Sequence, residues 1–168
     1  VEFLANSLGE LGSATQMALA TGALLGERFE LRDVADVEGL SLSTTARALD
    51  AGLTANMISR VDASLAMETT IADDLDQSIR PTYRFAHDRV QQAARGLLSD
   101  QVVAQRRMAI ARRLRAAEVS GLELFDLVEH ALAGRAEMIP DEQRAFAQLA
   151  FGAGAAAASS AAFDPALR

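Results

Sequence analysis

The sequence predicts a mainly α chain with one small β element, a pair of short strands set among helices, followed by an unbroken run of helices. Three observations carry this. Half of the 168 residues are hydrophobic, and through most of the chain they recur at helical spacing. Alternation at strand spacing occurs in two short places, where Met57, Ser59 and Val61 flank Ile58 and Arg60, and where Tyr83 and Phe85 flank Arg84. Glycines and capping residues fall at the ends of the periodic stretches.

The first helix is expected over Leu8–Phe29, with Leu8, Leu11, Thr15, Ala18, Leu19 and Gly22 near one face and Gly26-Glu27 near its end. Phe29 and Leu31 lead into a second short helix, Asp33–Glu38, stopped by Gly39. Ser41 and Ser43 both offer N-cap oxygens to a third, Leu42–Leu53, whose stripe is Leu42, Ala46, Leu49 and Leu53. Three short helices and then two strands, Met57–Val61 and Pro81–Phe85, make the helix-turn-helix plus wing pattern. Residues 1–98 are therefore read as a winged-helix domain with a small β wing. The acidic stretch 62–80, with Glu68, Asp73, Asp74 and Asp76, is too long for a tight turn and is expected to be a mobile wing tip.

After Phe85 every periodic stretch is helical. Asp88–Leu98 places Val90, Ala93, Ala94, Leu97 and Leu98 inward. Ser99-Asp100 can cap Gln101–Glu118, where Val103, Arg107, Ile110, Ala111 and Leu114 share a face and Arg106, Arg113 and Arg115 are expected in solvent. Ser120-Gly121 breaks the run. Glu123–Leu132 follows, with Leu124, Val128 and Leu132 inward, and Gly134 stops it. Pro140 opens a last helix with Asp141 and Glu142 in its first turn. It carries Phe146, Leu149, Ala150 and Ala153, and its Gly152, Gly154 and Ala156 permit close helix approach. Residues 99–168 are read as an antiparallel helical region. Ala145–Phe163 is uncharged, but alanine and glycine dominate it and Leu149 is its one Leu, Ile or Val, so no membrane span is expected.

Composition excludes several chemistries. All 16 basic residues are arginine, which removes a phosphate-loop, kinase or Schiff-base lysine from this chain. There is no cysteine, so no disulfide or thiolate site exists. Two isolated histidines make no zinc site, and no metal is expected. The net charge of −7 argues against a general nucleic-acid binder. It is uneven: from Arg84 to Arg115 eight arginines stand against Asp88 and Asp100. These arginines could attract phosphate or an acidic partner, but a solvated face with contacts inside the protein is the favoured reading. The first residues lack a basic secretory n-region, and the expected compartment is cytoplasmic. The chain reads as a piece of a longer protein.

The most informative stretch is Tyr83–Ala94, a strand running straight into a helix. It pins His87 at the junction. Asp88 stands where its carboxylate can cap the helix or favour its positive end, and Arg89 suits a surface or domain-interface ion pair. The run Phe85-Ala86-His87-Asp88-Arg89-Val90-Gln91-Gln92-Ala93-Ala94 resembles the segment that follows the ATPase module in bacterial STAND-type signalling ATPases, the multi-sensor kinases and related ATPase-containing transcriptional activators. Leu124-Phe125-Asp126-Leu127-Val128-Glu129-His130 resembles a second segment of that family. The tail from Ala153-Gly154 to Leu167 resembles its entry into tetratricopeptide-like repeats. Departures are Glu129 for an amide, Leu132 for an asparagine and Arg107 for a histidine.

The resemblance implies a noncatalytic regulatory fragment. It would couple the nucleotide state of an upstream ATPase domain to downstream helical repeats and output domains, with a protein partner on the repeats. ATP and ADP are then cofactors of the parent, and none belongs to this fragment. A winged-helix histidine in such proteins reaches the bound ADP phosphate, and His87 matches by position. The competing reading is that His87 merely orders the junction. His130 reads as a structural or surface residue that can pair with Asp126 at i,i+4. The alternative function is a winged-helix DNA-binding transcriptional regulator. Against it, Leu42–Leu53 carries only Arg47, opposed by Asp50, so nucleic acid is not expected to bind through this fragment.

Overall fold

The structure, a computed structural model, describes residues 7–61 and 81–163. The expected wing tip at 62–80 lies outside the described residues. The chain divides into two compact units, Val1–Ser99 and Asp100–Arg168. The described chain is mainly helical, with one small antiparallel sheet of three strands.

In the first unit the order is α1 (Ser13–Leu25), β1 (Arg28–Glu30), α2 (Leu31–Glu38), α3 (Leu42–Thr54), β2 (Ile58–Arg60), β3 (Thr82–Phe85) and α4 (Asp88–Arg95). Strand β3 is central, with β1 and β2 antiparallel on either side. The sequence reading missed β1 and ran the first helix to Phe29. The helix stops at Leu25, and Phe29 is a strand residue. The reason is tertiary. Three residues carry no periodicity of their own, and β1 exists because β3 pairs with it, Phe29 opposite Tyr83. Phe29 then turns its ring onto Gly22 of α1, where an added Cβ would lie 2.8 Å from the ring. Only glycine allows helix and strand that close. The ring also stacks on Tyr83 at 5.7 Å and tilts against Phe85 at 5.4 Å.

Phe29, Ile58, Tyr83 and Phe85 form the inner sheet face and pack with Leu8, Leu19, Leu31, Val34, Leu49 and Val90. Burial of each large apolar side chain stabilises the unit by about 1.5–3 kcal/mol. Helix α2 ends at Gly39 in the left-handed conformation (φ 66°, ψ 32°), and Leu40 N–H then bonds to Ala35 O at 2.9 Å. Of the two serines offered as caps of α3, Ser41 takes the role and accepts from Thr44 N–H at 3.2 Å. The Thr21 hydroxyl of α1 donates to Glu38 at the end of α2.

The second unit holds α5 (Asp100–Ala116), α6 (Leu122–Ala133), a 3-10 turn (Arg135–Glu137) and α7 (Pro140–Phe163). Met108, Ala111, Leu127, Ala131 and Phe146 form its core, and Arg115 stands 5.5 Å over the Phe146 ring. Two inward expectations fail at helix ends. Leu97 is exposed because α4 stops at Arg95, and Leu132 is 55% exposed while Leu127 takes the buried position. Arg106, expected in solvent, is 8% exposed. It lies at i+3 from Val103 and i−4 from Ile110, at the edge of the apolar stripe, where a long aliphatic stem packs as well as a leucine. No described helix is long and apolar enough to cross a membrane.

Candidate functional site

The site is built at the end of the central strand. Tyr83 and Phe85 point into the core and Arg84 points out, as the two-residue period requires. Burial raises the Tyr83 phenol above its usual pKa, with the nearby Arg60 cation opposing. Beyond Phe85, Ala86 N–H bonds to Met57 O at 3.0 Å and ties the exit of β3 to the entry of β2. The next residue, His87, is the N-cap of α4 with an extended backbone (φ −152°, ψ 149°). Its carbonyl accepts from Val90 N–H at 2.9 Å and Gln91 N–H at 3.3 Å.

Helix α4 is anchored from beneath. Val90 and Ala94 are buried. On the flank, Arg95 Nε at 2.6 Å and Gln91 Nε2 at 3.2 Å both donate to Ala23 O in the last turn of α1. That carbonyl is one of those a helix end leaves without an intrahelical donor, and two side chains of α4 satisfy it. The mount of His87 is thus rigid while its side chain is exposed. The imidazole makes no cap bond and has no hydrogen bond to the described residues. Asp88 is the first helical residue and Arg89 follows, both exposed. Asp88 stands in the first turn, where the helix dipole favours a carboxylate. An exposed imidazole beside a helix start can donate to an anion.

His130 is a different case. It is 6% exposed, and its Nδ1 lies 3.3 Å from Arg107 Nη1 across the α5–α6 contact. Arg107 Nη1 also lies 3.5 Å from Glu129 Oε1. Asp126, the i,i+4 candidate, is exposed. Sequence reasoning did not bring these three residues together, since they stand on two helices, with Arg107 and Glu129 22 positions apart. One signal was present. Arg107 and Glu129 carry opposite charges. Two arginines of α5 are paired inside their own unit: Arg107 on Glu129, and Arg112 on Glu142 at 2.7 and 2.9 Å and on Glu137 O at 3.1 Å. Among the described residues no group of three or more metal-ligating side chains gathers.

No protein-family model, no curated protein and no solved structure matches the chain.

Proposed function

We propose that the chain is a noncatalytic regulatory piece of a signal-transduction ATPase of the STAND type. Residues 1–98 serve as its winged-helix domain and residues 99–168 as the start of a tetratricopeptide-like helical region. The observation that carries this reading is the connectivity of the first unit. An order of α1-β1-α2-α3-β2-β3 with sheet order β1-β3-β2 suits a winged helix, in which α3 takes the recognition-helix position and β2–β3 the wing. His87 follows the central strand after one intervening residue, exposed on a rigid mount. That suits a sensor that reaches toward a phosphate held by another domain and distinguishes nucleotide states by a charge-assisted hydrogen bond. The parent protein supplies ATP or ADP and the phosphate-binding loop. This segment supplies the clamp, with Asp88 and Arg89 beside it as helix-end and interface groups.

DNA reading through α3 is disfavoured. Arg47 is its one cation, and Asp50 on the same helix is paired with Arg60 of β2 at 3.7 Å. Phosphate contacts need a positive surface that this helix does not offer.

The test is ADP binding and exchange in the parent protein, wild type beside His87→Ala. Weaker binding or faster exchange in the variant is expected. Identical affinity and exchange in the two proteins would remove the sensing role and leave His87 as a junction residue.

A further inference from the structure

The outer face of the sheet carries an arrangement that the fold does not need. Strand register sets Arg28 of β1 opposite Arg84 of β3, and Ser59 of β2 opposite Arg84 on its other side. All three are exposed. The hydrogen bonds bring the first pair unusually near. Phe85 N–H donates to Glu27 O at 3.1 Å and Leu31 N–H to Pro81 O at 2.9 Å. Those two pairs are therefore the hydrogen-bonded ones, and Arg28/Arg84 is a non-hydrogen-bonded pair in between. Such pairs have Cα atoms about 4.5 Å apart and side chains in closest approach.

Like charges directly opposite each other destabilise a sheet. Neither Arg28 nor Arg84 has an ion pair or side-chain hydrogen bond with a described residue. Glu30 stands one pleat along the same face, diagonal to Arg84, and has contacts of its own. One carboxylate at that remove does not offset two guanidiniums at the closest register of the ladder.

We propose that this arginine pair is an oxyanion site, in which Arg28 and Arg84 take a phosphate monoester dianion between them. A guanidinium presents paired N–H groups that match two oxygens of one phosphate. Two guanidiniums supply the charge that a dianion neutralises and that a lone carboxylate would not. The inference concerns the sheet face alone and does not rest on the role of His87.

The test is an NMR titration of the full chain with sodium phosphate, and separately with ADP, at constant ionic strength set by chloride. Amide signals of Arg28 and Arg84 are expected to shift together and to saturate with a dissociation constant within about 10 mM. Arg28→Glu, which turns the like-charge pair into an ion pair at exposed positions, is expected to weaken binding by about tenfold or more. Its melting temperature in chloride is expected to equal or exceed that of the wild type. Tighter binding of ADP than of inorganic phosphate, lost in Arg28→Glu, supports the site and identifies its source as a nucleotide. Equal affinity of the two, lost in the same variant, supports it with the phosphate group as the whole determinant. Shifts that never saturate, or an affinity unchanged by Arg28→Glu, would overturn the proposal.

Discussion

Gly134→Ala tests the packing of the second unit at its tightest point. Gly134 follows α6 and lies against the backbone of α5. A Cβ built there would stand 2.6 Å from Met108 N, 2.9 Å from Ala104 O and 3.0 Å from Met108 Cα. Its own backbone (φ −93°, ψ 8°) suits alanine, so the penalty is collision and not conformational strain. The colliding atoms are main-chain atoms in mid-helix, which no rotamer change can move. Ordinary contact begins near 3.4 Å, so α5 and α6 must part by roughly 0.8 Å at a contact that also holds Met108, Leu127 and Ala131. Overpacking of this kind costs typically about 1–3 kcal/mol, and a backbone clash belongs at the upper end. At about 3 kcal/mol, amides protected by opening of the second unit exchange about 100-fold faster. Native-state hydrogen exchange over α5 and α6 measures this. The control is the same substitution at Gly152, mid-helix in α7 with nothing within 4 Å of its would-be Cβ. There alanine should slow exchange in α7, by helix propensity alone about 0.5–1 kcal/mol. Gly134→Ala exchanging within about threefold of wild type would refute the reasoning.

Two further outcomes follow from single interactions. The Arg112 guanidinium bonds, with help from the Ile139 N–H, hold the Glu142 carboxyl at about 2 against an ordinary 4.5. Its stabilising contribution is therefore fully present above pH 4.5 and lost as pH falls toward 2. With solvent screening discounted, Glu142→Gln should cost about 1–2 kcal/mol at pH 7. The difference from wild type should close as pH falls through that window, measured by denaturant unfolding at several pH values. Ser41→Ala removes the acceptor of Thr44 N–H and should cost about 1 kcal/mol, read by the fluorescence of Tyr83, the one tyrosine in the chain, during unfolding. An unchanged midpoint would mean that water replaces the cap at no cost.

The sequence by itself determined the mainly helical class, the helix-forming stretches, the two strands near Ile58 and Tyr83, and the strand-to-helix turn at His87. Each of these is a local matter. Apolar residues at a fixed period specify a face, and a serine or glycine at its end specifies where the face stops. The cap at Ser41 and the stop at Gly39 were legible for the same reason, as was the opening of α7 at Pro140.

Tertiary structure alone decided what has no period. Strand β1 exists through pairing with β3 and through the space that Gly22 leaves for Phe29. Arg106 is buried because the stripe of α5 is wider than its apolar residues, and Leu132 is exposed because the end of α6 turns past its own core. The opposition of Arg28 to Arg84 and the meeting of Arg107 with Glu129 and His130 are likewise set by register and crossing. The same holds for the two side chains of α4 that bind Ala23 O. These residues lie 22 to 72 positions apart. Nothing in the local physics of a chain couples residues at that distance until packing and strand pairing close the loops between them.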